Sequence, residues 1–323
     1  LPEIVINHQN FIPQVRTQIP ENRIMDSTFL TITRCPVCSS ENIQSGFQAT
    51  DHTVSGKSFE ICQCLDCSLR FTQSIPSQDL IKEYYRSETY ISHTDTSKGF
   101  INRLYHLVRK RTLEGKRKLI CSKTGIKSGK LLDIGAGAGA FVHHMQQHGW
   151  QATGLEPDES ARQRAAALYQ VQLLPVESIK TLQDNSYDAI TLWHVLEHVH
   201  DLHGYMETLK RMIKPGGCIF IAVPNYTSYD ARVYRGNWAA YDVPRHLYHF
   251  SPASMSRLFR LHNLREKSVH PMWYDSFYIS LLSEKYKVGG GNTIRGFWTG
   301  AVSNMKTLFH KDRSSSLVYV ATR

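Results

Sequence analysis

The chain has 323 residues, 41% hydrophobic and 20% charged, which suits a globular protein and excludes a disordered or collagen-like one. No apolar run approaches the roughly 18 residues that a spanning helix needs. The first residues also lack a basic segment followed by an apolar core, so no secretion signal is read and the expected compartment is the cytoplasm, with peripheral contact to a membrane left open. The net charge of +10 is concentrated, because eleven basic residues and one acid, Glu114, lie between Lys98 and Lys130. A face of this kind attracts an anionic partner (nucleic acid, a membrane surface or a phosphorylated substrate) or is simply solvated.

In chain order, residues 1–30 show no sustained period and read as a poorly ordered extension, with Met25 a candidate start. Residues 31–75 contain two C-x-x-C pairs, Cys35-Pro-Val-Cys38 and Cys64-Leu-Asp-Cys67. Each pair turns tightly enough to present two thiolates to one ion, and two pairs complete a closed tetrahedron, so a structural zinc is expected on Cys35, Cys38, Cys64 and Cys67. Phe47–His52 and Lys57–Ile61 read as short strands around Ser55-Gly56, which makes the segment a zinc ribbon. Cys62 is a spare thiol, and Ser39 and Ser68 stand where glycine would ease the turn. Residues 76–130 form a basic connector that includes Tyr84, Tyr85 and Tyr90. Its helix runs from Phe100 to about Ile120, with Ile101, Leu104, Tyr105, Val108 and Leu119 at helical spacing.

From residue 131 to the end a cofactor-binding domain is expected. Leu131–Ile134 is a strand that ends in Gly135-Ala-Gly137-Ala-Gly139, and a helix follows from Phe141. A strand, a glycine-rich turn and a helix open a dinucleotide-type fold. The second strand, Gln151–Leu155, ends in Glu156, where a carboxylate can accept hydrogen bonds from ribose hydroxyls. To this point a nicotinamide oxidoreductase fits nearly as well. Tyr187–Leu192 is a further strand running into Trp193-His-Val-Leu-Glu197-His198. A helix from Leu202 to Ile213 stops at Lys214-Pro-Gly-Gly217, the next strand runs from Cys218 to Val223, and Pro224-Asn225 closes it.

This succession, over about residues 131–265, resembles the class I S-adenosylmethionine (SAM)-dependent methyltransferases. The resemblance implies an α/β, Rossmann-like, doubly wound sheet of seven strands. It also implies that Gly135, Gly137 and Gly139 border the cofactor, that Asp133 lies near its methionine end and that Glu156 holds its ribose. Glu177 would sit beside adenine, and Trp193 and His194 beside the sulfonium. The stretch Trp238–Phe250 looks like the substrate loop of sugar C-methyltransferases, which also carry a zinc module, and it puts His246 on their catalytic histidine. Arg245 departs from that pattern, since the family has a glutamate there. Glu197-His198 resembles a pair in ubiquinone-pathway O-methyltransferases that can assist a divalent metal; a helix-start carboxylate is the plainer reading.

Strands near Leu264–Pro271 and at Ser316–Ala321 flank a helical insertion at about 274–312. Its second helix carries Ile294, Phe297, Trp298, Ala301, Val302, Met305, Leu308 and Phe309 as one apolar stripe. The stripe is expected to pack on the domain or on a second subunit; a lid or a membrane-docking hairpin is the sharper alternative. His200 and His203 are expected to face solvent. The reading is therefore a methyltransferase that uses SAM and acts on a small-molecule or lipid- or glycan-linked acceptor, at oxygen or carbon, with His246 as base. A zinc-ribbon RNA methyltransferase is the main rival. Against it stand the absence of an Asn-Pro-Pro-aromatic turn after the fourth strand and of a Pro-Cys nucleophile.

Overall fold

The computed structural model describes residues 29–85, 100–287 and 291–323, without the side chains of 100–107. Expectations for residues 1–28, Tyr90, Lys98 and Gly289-Gly290 lie outside these, as do those for the side chains of Ile101, Leu104 and Tyr105.

The chain opens with β1 (Phe29–Leu30), β2 (Ile43–Thr50), β3 (Ser58–Cys64), β4 (Arg70–Thr72) and β5 (Ile75–Pro76). The hairpin of β2 and β3 is longer than the sequence suggests, pairing antiparallel from Ile43↔Cys64 to Thr50↔Ser58. The basic connector folds as α1 (Phe100–Thr124) and lays Ile120, fully buried, on the central sheet. Then follow β6 (Lys130–Ile134), α2 (Ala140–Gln147), β7 (Gln151–Leu155), α3 (Glu159–Tyr169), β8 (Tyr187–Trp193), α4 (Leu202–Met212) and β9 (Ile213–Pro224). The remaining elements are α5 (Tyr229–Tyr234), β10 (Tyr248–His249), α6 (Pro252–Leu261), β11 (Arg265–Pro271), α7 (Asp275–Lys285), α8 (Thr293–Phe309) and β12 (Ser316–Thr322).

The central sheet has the order β11-β12-β9-β8-β6-β7, parallel from β7 to β9, with β12 antiparallel to both of its neighbours. Helices on both faces explain why its strands read as near-continuous apolar runs: Leu131, Leu132, Ile190, Leu192, Ile219 and Ile221 are all fully buried. The doubly wound architecture matches the expectation. The expected seventh strand, however, is reduced to a single parallel bridge between Leu155 and Leu174, because Pro175 follows at once and ends the pairing.

Three further differences have plain causes. Strand β9 starts at Ile213, so Lys214–Gly217 lies within it; α4 ends at Met212, ahead of Pro215. His200 and His203 are half-buried rather than solvent-facing, because His200 meets the carbonyl of Pro76 at 3.1 Å and His203 meets His262 at 2.8 Å. The stripe on α8 points outward, while Gly296, Thr299, Gly300, Ser303 and Thr307 turn inward.

The N-terminal sheet is four-stranded, and its fourth strand comes from the other end of the chain: β10 pairs with β4, with Tyr248 opposite Phe71 and His249 opposite Arg70. Leu69 and Phe71 are fully buried in one cluster with Leu247, Tyr248 and Phe250. The cysteine module is thus joined through backbone pairing and a shared core to the loop that carries His246.

Candidate active site

The parallel strands end along one edge, and the side chains singled out by sequence gather there. The turn after β6 has Gly135, Gly137 and Gly139 at φ of 73°, 54° and 77°, left-handed conformations that a side chain resists. Space also matters at Gly139, where a Cβ would stand 2.8 Å from the Cβ of Ala165. At Gly137 a Cβ would meet nothing within 4 Å, so the turn opens onto free space as a cradle. Glu156, at the end of β7, closes one side: its carboxylate accepts from the amides of Gly137 at 2.7 Å and Asp158 at 3.0 Å. Glu177 stands exposed on a short 3-10 turn and is not drawn into this network.

Asp133 is buried and accepts a hydrogen bond from the Thr191 hydroxyl at 2.6 Å, and burial pushes its carboxyl up to about 7. Asp133 is faced by a residue with no distinguishing mark in the sequence. Lys116, from the connector helix α1, places its ammonium 4.0 Å from the centre of the Trp193 ring. Burial lowers that ammonium to about 8, against the pull of Asp133 and Asp275. Phe141 meets Trp193 edge-on at 5.6 Å. These ring faces accept a cation, which suits a sulfonium as well as an ammonium.

His194 has φ of 59°, and its amide donates to the carbonyl of Ala222 at 2.9 Å. The ring lies between two carboxylates, Asp275 Oδ2 at 3.1 Å and Glu197 Oε1 at 3.4 Å. Burial alone would lower its pKa; the two carboxylates override burial and raise it to about 10. Asp275 opens α7, so the insertion reaches into the site, a role hidden in sequence because an acid in a first helical turn is ordinary. The imidazolium therefore adds stability that is fully present below pH 6.5 and lost as pH rises through about 10. Asp275→Asn should bring the His194 pKa from about 10 back toward 6.5, measurable by NMR titration of the ring carbons; an unmoved value would refute the pairing.

Beyond His194 the network continues to the base candidate. Glu197 is fully buried, and apart from the ion pair of Oε1 with His194 its carboxylate oxygens have no hydrogen-bond partner among the described residues. Burial would raise its pKa, but His194 and the neighbouring histidines hold it below the ordinary value. Glu197, His198 and His246 bring one ligand atom each within 4.8 Å of one another. His246 is buried in the loop Trp238–Phe250, and its Nδ1 lies 2.8 Å from the carbonyl of Ala240. A carbonyl only accepts, so in the neutral ring Nδ1 carries the proton and Nε2 keeps its lone pair. His198 is held neutral, lowered to about 4 by burial and by His246. Arg245, the departure from the sugar-enzyme pattern, is a buried strut: it donates to Asp242 at 2.9 Å and to the carbonyl of Tyr84 at 2.9 Å.

The loop is braced from the cysteine module. Thr72 of β4 donates to the carbonyl of His246 at 2.7 Å, and its amide bonds the carbonyl of Leu247 at 3.0 Å. Arg70 reaches the Tyr241 hydroxyl at 2.9 Å. In the module itself Cys35 and Cys67 lie 3.4 Å apart and Cys38 and Cys64 3.6 Å, with all four sulfurs within 4.8 Å of one another. Zinc–sulfur bonds of about 2.3 Å make the edge of a tetrahedron about 3.8 Å, so this donor set fits a closed zinc site. Ser39 and Ser68 both adopt left-handed φ, 59° and 63°, where each amide turns back to the carbonyl of Cys35 or Cys64. Cys62 is buried outside the cluster.

Over residues 105–268, half of its length, the chain matches a family described as a methyltransferase domain. It is 26% identical over 165 residues to a ubiquinone biosynthesis O-methyltransferase of Acinetobacter baylyi, covering 47% of this chain and 69% of that protein. To the enzyme of the same name from Xanthomonas oryzae it is 28% identical over 171 residues, covering 48% and 71%. Among solved structures, a SAM-dependent methyltransferase from Archaeoglobus fulgidus aligns with a TM-score of 0.43 at 18% identity, over 68% of this chain and 100% of that one. The family match removes the nicotinamide reading: the chain belongs to the methyltransferase-domain family and is a class I SAM-dependent methyltransferase.

Proposed function

We propose that the protein moves a methyl group from SAM to a small-molecule or lipid- or glycan-linked acceptor, at oxygen or carbon, with His246 as general base. The observation that supports this most is the gathering of these side chains between the glycine turn and the base: Lys116 lies 4.0 Å from the Trp193 ring, His194 follows Trp193 and stands 3.4 Å from Glu197, and Glu197 lies within 4.8 Å of His246. In this reading Gly135, Gly137 and Gly139 border the cofactor, Glu156 holds its ribose, Glu177 lies toward adenine, and Asp133, Trp193 and His194 face its methionine and sulfonium end. SAM supplies an electrophilic methyl on a sulfonium. The protein's share is to hold the acceptor atom in line with that methyl and to take its proton on Nε2 of His246 as the new bond forms. The curated relatives act in ubiquinone biosynthesis, by their names, which favours a small acceptor over RNA.

Residues 31–75 are read as a module whose structural zinc, held by Cys35, Cys38, Cys64 and Cys67, keeps β4 in place behind the His246 loop. The geometry favours shaping of the acceptor pocket over recruitment of a partner, because β10 belongs to the module's sheet. Thr72→Val keeps the volume but removes the hydroxyl bond to the carbonyl of His246; kcat should fall about ten- to a hundredfold with SAM affinity unchanged. An unaltered kcat would mean that the module does not position this loop.

The acceptor class is tested by incubating the protein and labelled SAM with cell extract pretreated with nuclease and protease, both then removed. Acceptor activity should survive. Abolition by nuclease alone would make RNA the substrate and the α1 charges its phosphate contacts.

A further inference from the structure

The α7–α8 hairpin buries the face of α8 that a water-soluble helix ordinarily leaves outside. Its inward residues are small or hydroxylic, and they let the two helices approach closely. A Cβ added to Gly300 would stand 2.9 Å from the Cα of Phe277, and one on Gly296 3.1 Å from the Cα of Leu281. The outward face carries Ile294, Phe297, Trp298, Met305, Leu308 and Phe309, from 54% exposed at Phe297 to 80% at Phe309. At 100° per residue these six share one side of the helix, opposite Gly296, Gly300 and Ser303. Trp273, also exposed, is tied to the flank of this face where its carbonyl accepts from Asn304 at 2.6 Å. A continuous large-residue stripe in water marks an interaction surface.

Charge identifies the occupant. From Trp273 to Arg313 the sequence has six basic residues (Lys285, Lys287, Arg295, Lys306, Lys311 and Arg313) and three acids (Asp275, Glu284 and Asp312). Two of the acids are turned inward, Asp275 onto His194 and Glu284 onto Lys287 and Arg295. The rim of the apolar face is still net basic: Arg295, exposed on one flank, shares the buried Glu284 with Lys287, while Lys306 on the same flank and Lys311 beyond the helix end are exposed with no acidic partner among the described residues. Two such faces brought together would set like charges against each other, which argues against a second copy of the chain. An apolar stripe with a basic rim matches an anionic bilayer surface.

We propose that α8 docks on anionic lipid bilayers, its stripe in the boundary between headgroups and acyl chains and its basic rim among the headgroups. No described helix is long and apolar enough to cross a membrane, so this contact is interfacial. Because Asp275 of α7 holds His194, the docked surface on α8 and the candidate active site share one hairpin.

The test is flotation of the full chain with phosphatidylcholine vesicles, with and without phosphatidylglycerol. It compares the wild type with a variant carrying Trp298→Ser and Phe309→Ser, both at exposed positions, with the fold of the variant checked by circular dichroism. The wild type should bind the anionic vesicles at least tenfold more strongly than the neutral ones, should release at high salt, and should lose at least tenfold in the variant. Equal flotation of variant and wild type, or none by either, would overturn the proposal. So would concentration-dependent dimers of the wild type that the variant abolishes, since they would assign the face to a second copy.

Discussion

His246→Ala should lower kcat about 10²- to 10⁴-fold while leaving SAM affinity within about twofold of the wild type. The magnitude is that of a lost general base. The split follows from geometry, since the ring bonds the carbonyl of Ala240 and approaches Glu197 and His198, whereas Glu156 bonds the amides of Gly137 and Asp158. The fold should survive, because the change leaves one carbonyl without its side-chain partner, costing about 1–2 kcal/mol. His246→Gln sharpens the test: an amide nitrogen can return the bond to Ala240 but cannot take a proton, so it should restore stability without rate. Kinetics with a partly purified acceptor, alongside calorimetric SAM binding, would measure both, and a variant that loses SAM affinity in proportion to rate would place His246 in cofactor binding instead.

Removing the proposed zinc should have the largest effect on stability. Structural zinc contributes about 10–16 kcal/mol in isolated zinc-finger peptides, and here part of that is shared with the packing of Leu69 and Phe71 on the larger domain. We expect Cys35→Ser with Cys64→Ser to cost several kcal/mol and to lower Tm by about 10 °C or more. The damage should not stay in the module. With β4 loosened, β10 loses its only partner strand among the described residues and the carbonyl of His246 loses the Thr72 hydroxyl, so activity should fall together with amide protection over residues 245–250. Elemental analysis should find one zinc per chain in the wild type and none in the variant. A wild type without metal, or a metal-free protein with normal Tm, would contradict the account.

How much of this was legible in the sequence differs from element to element, for physical reasons. The cysteine pairs and the glycine turn were readable because their chemistry is local: residue type and spacing together specify the geometry. Even Ser39 and Ser68, noted as imperfect, proved to occupy the left-handed positions that the spacing requires. The turn from Trp193 to His198 and the helical insertion at about 274–312 were equally local. Contacts between distant segments were not legible. Lys116 sits in a basic run and looks like its neighbours until α1 is laid across Trp193. Asp275 reads as an ordinary helix-start acid until α7 meets His194, 81 residues earlier in the chain. The pairing of β10 with β4 joins residues nearly two hundred positions apart and leaves no periodic trace in two-residue and three-residue strands. The stripe on α8 was legible, but not what it meets: of the two expected packings it does not make the one on its own domain, because apolar periodicity says which residues share a face, not whether that face meets protein or something else.

The most direct test is methyl transfer from radiolabelled SAM into a host-cell extract, by wild type and by His246→Ala, with products separated into organic-soluble, small polar, RNA and protein fractions. The account predicts label in the organic-soluble or small polar fraction with the wild type and its loss with the variant. Label in RNA, or equal labelling by the two proteins, would contradict it.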